Sequence, residues 1–561
     1  MAALTKKIVA GRPYYYLREC QRVDGKPKIV WQKYLGTVDQ IIEKLTTPTP
    51  MSVSLREFGA SRACFEIAQQ LDIAGTIDRF CPKRRADGLS VGEYILIATL
   101  NRCIAPRSKK RLSSWYGKTI LPRLLPAKQE QLVSQRFWEN MDRLDVEVIP
   151  KIEKEITERA VEQFGLDLKC LLFDATNFFT FLDTFNLRPK LGQRGKSKEG
   201  RTNLRLIGLA LLVSSDGDVP LFHHTYAGNQ HDSVTFNSIS STLISRCKEL
   251  SKGSCDITLV FDKGNNSEEN LGYIHEKIHF VGSLVPTHHL ELLEIDRKKM
   301  RRLDKEQLPQ VWSYRTAKEV FGVKRTVLVT YNSALYRAQH KTLTREINKR
   351  KRRFQRLQES LQSAVKRAKG KKPTLKGATN RMNSILAGRH MKDLFTVKVI
   401  TKKSSVRLKW KFKAKKWNDL KCTLLGKTLL FTDREEWSDE QIVIGYRSQH
   451  HVESAFRAMK HPHYLSFRPT YHWTDQKIRV HSFYCVLALM LLTLLRRNLA
   501  KAGVQMSIPT IVEKLSSIHE STILYPAKKG SSPYAKTILT ELDTQQTAIL
   551  KALKIPANRS V

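Results

Sequence analysis

The chain has 561 residues, 41% of them hydrophobic, with 97 Lys and Arg against 53 Asp and Glu, a formal charge of +44. That length points to about three to four domains, and the ordinary apolar content is enough for a large core in a soluble globular protein. Positive charge spread along the whole chain favours a polyanionic partner, nucleic acid first and an acidic membrane surface second.

The nine cysteines (Cys20, Cys64, Cys81, Cys103, Cys170, Cys247, Cys255, Cys422 and Cys485) include no Cys-x-x-Cys pair. This argues against a disulfide framework and a cysteine zinc site, and suits a reducing compartment. Met1-Ala-Ala-Leu-Thr-Lys-Lys7 has no signal-peptide pattern. Phe483 to Leu495 is strongly apolar but shorter than the roughly 20 residues that span a bilayer, so a buried helix is expected there.

Residues 1–55 read as a small β unit, with Tyr14–Leu17 and Ile29–Trp31 flanking a turn at Asp24-Gly25-Lys26. Residues 56–165 are helical in pattern: Phe65–Ile73, Val91–Leu100 and Phe137–Leu144 carry apolar positions at period 3.6. Basic clusters at Lys83–Arg85 and Lys109–Arg111 lie between them, which suits a DNA-binding region and equally an ordinary helical domain with solvated loops.

Over 166–288 the pattern changes to strands. Leu168–Asp174 is an apolar run ending in a carboxylate; Leu204–Val213 and Leu221–Tyr226 follow, then Ile257–Asp262 ends in a second carboxylate before Gly264. Strands first, then alternation with helices, predict an α/β sheet with both aspartates at strand ends, the usual edge for chemistry.

Residues 289–420 look inserted. Val311–Val320 and Val323–Tyr331 predict a β ribbon, and Leu343, Ile347, Phe354, Leu357, Leu361 and Ala364 a basic helical hairpin or short coiled coil. Lys409–Trp417 alternates cations with aromatics, which predicts an exposed strand with a DNA-facing side, or a solvated edge guarded by lysines. In 421–505, Gly426–Asp433 reads as a strand and Ser438 as the N-cap of a helix that runs on through Glu453. The tail, 506–561, is polar and basic with weak patterns.

Tyr446, Gln449, Glu453, Phe456 or Arg457, and Lys460 recur at spacings that share one helical face. Such a face is either solvated surface or one wall of a metal and phosphate site. Three carboxylates brought together, Asp174, Asp262 and Glu453, bind hard divalent cations through oxygen, and two magnesium ions about 3.5–4 Å apart activate a water or 3′-hydroxyl. Arg457 and Lys460 would then reach phosphates. The histidine pairs His223-His224, His288-His289, His450-His451 and His461-x-His463 lack cysteine support and are read as surface or DNA-contact residues. Gly192–Gly200 lacks the Gly-Lys-Ser/Thr ending of a phosphate-binding loop.

The chain resembles the DDE transposases of bacterial insertion sequences, in particular the superfamily of the fourth-numbered insertion sequence. That superfamily is marked by a Tyr, Arg, Glu, Lys signature separated by two, three and six residues. Tyr446, Glu453 and Lys460 match at that spacing; Gln449 stands at the arginine position, with Arg447 near. Leu172-Phe-Asp174-Ala-Thr and Val260-Phe-Asp262-Lys-Gly264 resemble the two earlier acidic motifs, and Lys198–Arg201, Gly228-Asn229, Asp232, Thr235-Phe236, Arg468-Pro469 and Asp475–His481 resemble flanking segments.

The resemblance implies an α/β, RNase H-like mixed-sheet core interrupted by an insertion, preceded by the small β unit and the helical DNA-binding region. It implies catalysis and metal ligation by Asp174, Asp262 and Glu453, with Tyr446, Arg447, Gln449, Arg457 and Lys460 on DNA. Magnesium or manganese, two ions, would support cleavage and strand transfer at terminal inverted repeats. The partners would be double-stranded DNA and a second copy of the chain, in the cytoplasm and on the nucleoid of a prokaryote, with no membrane. The competing readings are a non-catalytic DNA-binding protein derived from a transposase and an RNase H-like nuclease.

Overall fold

Leu171–Phe173, Leu209–Val213 and Leu259–Phe261 are buried apolar runs, the pattern of strands covered on both faces. They form the centre of a nine-stranded mixed sheet. The computed structural model describes residues 2–556 except 24–25, 46–49, 83–87, 184, 187, 196–202, 251–255, 367–371, 403–404, 469 and 528–531.

In chain order the sheet strands are β1 (Cys170–Thr180), β2 (Arg205–Ser214), β3 (Pro220–Ala227), β4 (Thr258–Phe261), β5 (His279–Ser283), β6 (Arg301–Arg302), β7 (Val311–Val320), β8 (Val323–Asn332) and β9 (Lys427–Thr432). In space they run β6-β7-β8-β9-β5-β4-β1-β2-β3. β1, β2 and β3 form an antiparallel meander, while β4 is parallel to β1 and β5 parallel to β4. β9, β8, β7 and β6 continue from β5 as antiparallel neighbours.

The two faces are told apart by alternation along β1. Phe173 meets Phe236 of the Asp232–Leu250 helix edge-on at 5.1 Å, which defines one face. Asp174, Thr176 and Phe178 point to the other. That face is crossed by α1 (Asp439–Arg447), α2 (His450–Met459) and α3 (Asp475–Lys501). α3 is the apolar helix expected from Phe483–Leu495. It is long and apolar enough to cross a membrane, but 94% of its most apolar 18-residue window is buried inside the protein, against β3 and the helices Gly59–Gln70, Val91–Ile104 and Ser134–Arg143.

Several expectations change. β1 does not end at Asp174: the β-prone Thr176–Thr180 segment continues it, paired with β2 to Thr180↔Arg205. The ribbon of β7 and β8 forms as expected, but β8 pairs with β9, so the ribbon extends the central sheet. Only the segment between Asn332 and Lys427 leaves that sheet.

Within that segment the Ser333–Lys366 helix packs against the Leu375–Leu386 helix, in keeping with the hairpin alternative, in a core shared with a β hairpin rather than as a coiled coil. Ile347, Phe354, Leu357 and Leu361 pack with the Leu375–Leu386 helix and the hairpin Phe395–Lys402/Ser405–Phe412. Trp410 turns inward there, stacked with Phe354 at 5.8 Å and donating from Nε1 to Gln358 Oε1 at 3.1 Å, while Lys409 and Lys411 face out. The cation-aromatic stretch is therefore an amphipathic strand only to Phe412; its remainder, with Trp417, belongs to the Ala414–Thr423 helix, and the rings pack on the local core.

The described residues of the C-terminal segment form regular elements. His519–Tyr525 and Tyr534–Leu539 form a sheet with Ser52–Glu57, which thereby leaves the N-terminal unit. Exposed side chains along these strands weaken their sequence signal, but Glu520 is 5% exposed and takes both nitrogens of Arg123 at 2.7 and 2.8 Å. The N-terminal unit is a three-stranded sheet, Ala2–Val9, Arg12–Val23 and Lys26–Gly36; residues 24–25 of its turn, the Lys83–Arg85 cluster and Lys198–Arg201 lie outside the described residues.

Arg497 ties α3 to the sheet. It is buried, and it donates to Asp216 Oδ1 at 2.8 Å and to the carbonyls of Phe164 and Gly165 at 2.7 Å each. The Arg497 hydrogen bond holds the Asp216 carboxyl below its usual range. Replacing Arg497 with Met is expected to cost about 2–4 kcal/mol, because the carboxylate and two carbonyls lose their donor. A carboxylate with a depressed pKa stabilises above its ordinary value of 3.8 and loses that contribution as pH falls below it. The gap between wild type and Arg497→Met, read by urea unfolding, is thus expected to be full at neutral pH and to shrink below about pH 4.

Candidate active site

Parallel pairing of β1 with β4 runs from Cys170↔Thr258 to Phe173↔Phe261. One residue further, Asp174 stands beside Asp262. Asp262 follows β4 with extended backbone (φ −84°, ψ 160°), so the alternation continues and both carboxylates point to the face crossed by α1 and α2. Asp174 and Asp262 are both half-buried.

α1 begins at a capping box: Ser438 Oγ accepts from the Gln441 amide at 3.2 Å, and Gln441 Oε1 accepts from the Ser438 amide at 2.8 Å. Its last turn carries Tyr446 to the sheet. The phenol donates to Ser283 Oγ at 2.9 Å, with Asp262 Oδ1 at 3.4 Å, and Ser283 Oγ in turn donates to Asp262 Oδ1 at 3.3 Å. Burial first, then the neighbouring Asp262 and Glu453 charges, push the Tyr446 hydroxyl up to about 12, so it remains a donor at neutral pH. Tyr446 thus holds Asp262 through Ser283.

The single helix expected through Tyr446 and Glu453 is two. Ser448 Oγ donates to the Gly445 carbonyl, and the amides of Ser448, Gln449 and His451 reach back three residues, to Gly445, Tyr446 and Ser448. A serine competing for main-chain partners tightens the joint between α1 and α2. Gln449 sits in that joint. α2 is then pinned at its start: His451 pairs with Asp218 in the β2–β3 turn, and Arg496 reaches the same carboxylate at 2.9 Å. Burial works to raise the Asp218 carboxyl, but His451 and Arg496 outweigh it and hold it low.

At the far end of α2, Lys460 Nζ donates to Thr176 Oγ1 at 3.0 Å and lies 5.5 Å from the Phe178 ring centroid. Tyr446 and Lys460 therefore bracket the aspartate pair, with Glu453 seven residues from each. Glu453 is exposed, as are Arg447 and Arg457.

Two adjacent, half-buried carboxylates fit magnesium or manganese, which takes one or two carboxylates and fills the rest of its shell with water and phosphate oxygens. The third ligand is not gathered in. Among the described residues, no group of three or more His, Cys, Asp or Glu lies close enough together to hold a metal ion.

No protein-family model matches the chain, and no curated protein matches it. Among solved structures the chain is similar to the piggyBac transposase in a synaptic complex with hairpin DNA, determined by cryo-electron microscopy. The TM-score is 0.37 and the identity 10%, covering 84% of this chain and 81% of that one. The likeness is too loose for any residue to be carried across.

Ser283 and Thr176 escape the sequence reading. Period-two alternation from Asp174 points to Thr176; nothing in the sequence marks Ser283. Two further carboxylates have structural duties: Asp475 accepts from the Lys190 and Leu191 amides at 3.1 and 3.0 Å, and Asp256 pairs with Arg434 at 2.6 Å. His223 is no surface residue, being buried against Glu153 and Phe483.

Tyr446→Phe removes the donor but keeps the ring. It is expected to cost roughly 1 kcal/mol of stability, read by urea unfolding, with far-ultraviolet circular dichroism unchanged.

Proposed function

We propose that this chain is a DDE-type DNA transposase that binds the terminal inverted repeats of an insertion sequence, cleaves the DNA strands there and transfers them to a target. The observation that carries the reading is the register that sets Asp174 beside Asp262 under the segment bearing Tyr446, Glu453 and Lys460 at the signature spacing. The strand order β3-β2-β1-β4-β5, antiparallel for the first three and parallel for the rest, supports an RNase H-like core. The segment between β8 and β9 is the insertion that precedes the catalytic helix. A charge of +44 supports a DNA partner.

Asp174, Asp262 and the exposed Glu453 are the residues that would hold two magnesium or manganese ions. Such ions would supply Lewis-acid activation of a water or 3′-hydroxyl and charge stabilisation at the leaving oxygen. Tyr446, through Ser283, keeps Asp262 in one orientation. Lys460 and Arg457 take non-bridging phosphate oxygens, and Arg447 and Gln449 follow the backbone on the same side. Attack is in line and relies on positioning and electrostatics rather than on a covalent protein intermediate. The chain acts as a dimer on paired element ends, in a prokaryotic cytoplasm.

Purified protein with labelled DNA carrying the flanking inverted repeats, plus magnesium, tests this beside Glu453→Gln. Cleavage at the repeat boundary is expected from the wild type alone, with the variant reduced by about a thousandfold, the scale of losing a transition-state charge stabiliser. Binding without cleavage by either protein points to a DNA-binding relic. Cleavage without joining of pre-cleaved ends points to a nuclease.

A further inference from the structure

The basic cluster Lys109–Arg111 does not project into solvent as a unit. Lys110 and Arg111 are exposed, but Lys109 is 8% exposed and turned into a cavity of about 620 Å³. That cavity lies between the Val91–Ile104 and Ser134–Arg143 helices and the start of α3.

The Lys109 ammonium donates to Tyr484 Oη at 3.1 Å and lies 4.3 Å from that ring's centroid. Tyr484 in turn bonds His481 Nδ1, and His481 Nε2 donates to the Phe467 carbonyl at 2.8 Å. This relay fixes Lys109 and leaves it two further N–H donors. Beside it Arg102, 5% exposed, spends its two terminal nitrogens on the Ser466 and Arg107 carbonyls at 3.0 and 3.3 Å. Its buried Nε has no partner.

Among the described residues, no carboxylate pairs with either cation. The acids that line the cavity are committed at its rim: Asp142 to Lys477 at 2.7 Å and Glu139 to Arg136 at 3.1 Å. Burial, and then Arg102, push the Lys109 ammonium down to about 7. Two buried cations with no acid between them are costly to keep unless an anion joins them.

The mouth adds a second requirement. Trp138, Tyr471 and Trp473 line it and are 41%, 61% and 45% exposed. Large rings held half out of a cationic cavity suit a flat aromatic group bearing a negative charge. Cavities of a few hundred Å³ hold ligands of one-nucleotide size.

We propose that this cavity binds a nucleoside phosphate, with the phosphate on Lys109, beside the Arg102 charge, and the base against Trp138 and Trp473. The ligand has two possible sources: an unpaired nucleotide of a DNA strand, or a free nucleotide. The course of β1 favours the strand. It carries Asp174 and ends just before Phe181, whose exposed ring meets the exposed Tyr471 ring of the cavity mouth at 5.5 Å.

The full chain, without metal, is titrated with deoxyadenosine monophosphate while tryptophan emission is followed, in wild type, Lys109→Met and Trp473→Ala. Saturable quenching is expected in the wild type, with affinity lowered about tenfold or more in Lys109→Met. Inorganic phosphate is expected to bind more weakly than the nucleotide in wild type. Trp473→Ala should weaken the nucleotide about tenfold and leave inorganic phosphate unchanged. Lys109→Met should melt at or above the wild-type temperature, since it removes an unpaired buried charge.

A second arm compares a blunt duplex with the same duplex bearing an unpaired end, by anisotropy, with excess deoxyadenosine monophosphate as competitor. Tighter binding of the unpaired end, abolished by the competitor, assigns the cavity to a DNA strand; no gain from the unpaired end assigns it to a free nucleotide. Absence of saturable nucleotide binding, or equal binding by wild type and both variants, overturns the proposal. The first arm needs neither DNA nor cleavage, so its outcome is independent of the transposase reading; the second rests on that reading.

Discussion

Four backbone pairings between β1 and β4, Cys170↔Thr258 to Phe173↔Phe261, set the arrangement of everything at the site. They fix how far Asp174 and Asp262 have advanced along their strands and which face they share. A slip of one residue turns one of them into the opposite layer, against Phe236, where a carboxylate has no place. The register is held because the same strands carry the core. Leu171, Leu172, Phe173, Leu259, Val260 and Phe261 are all fully buried, so any slip exposes or clashes several large side chains at once.

The helices that complete the site are positioned by polar contacts at a few points. Ser438 and Gln441 start α1, Tyr446 meets Ser283, Asp218 pins α2 through His451 and Arg496, and Lys460 reaches Thr176. Apart from the Ser438 cap, each contact links the signature segment or its neighbours to a sheet strand or to the β2–β3 turn. α3 acts as the common back wall, and Arg497 joins it to Asp216 in the β2–β3 turn and to the end of the Ile149–Phe164 helix. A buried helix packed on several elements is stiff, which keeps the joint between α1 and α2 over the aspartates.

Much of this was legible in the sequence, for identifiable reasons. β1, β2, β4 and β9 are short apolar runs buried on both faces, and such runs stand out. The start of α1 follows from its Ser438 cap, and the helices near 59–70, 91–104 and 134–143 from their apolar period. The misreadings share one cause: tertiary partners are invisible locally. Thr176–Thr180 continues β1 because β2 lies alongside. The β7–β8 ribbon joins the main sheet because β9, almost a hundred residues later, returns to β8. Trp410 reads as a DNA-facing ring until Phe354 and Phe395 are seen to cover it. At the site, Asp174, Asp262 and Lys460 were identifiable, whereas Ser283 has no sequence mark and the break at Ser448 depends on one serine's choice of main-chain partner.

The central claim is that Asp174 and Asp262 together form a divalent-cation site. The most direct measurement is manganese binding by electron paramagnetic resonance, on wild type, Asp174→Asn and Asp262→Asn, with folding checked by circular dichroism. The account predicts saturable manganese binding in the wild type that each single substitution weakens by about tenfold or more, the scale of losing one charged ligand. Binding of equal strength in all three proteins would contradict it and would mean that the two carboxylates, though side by side, do not share a metal.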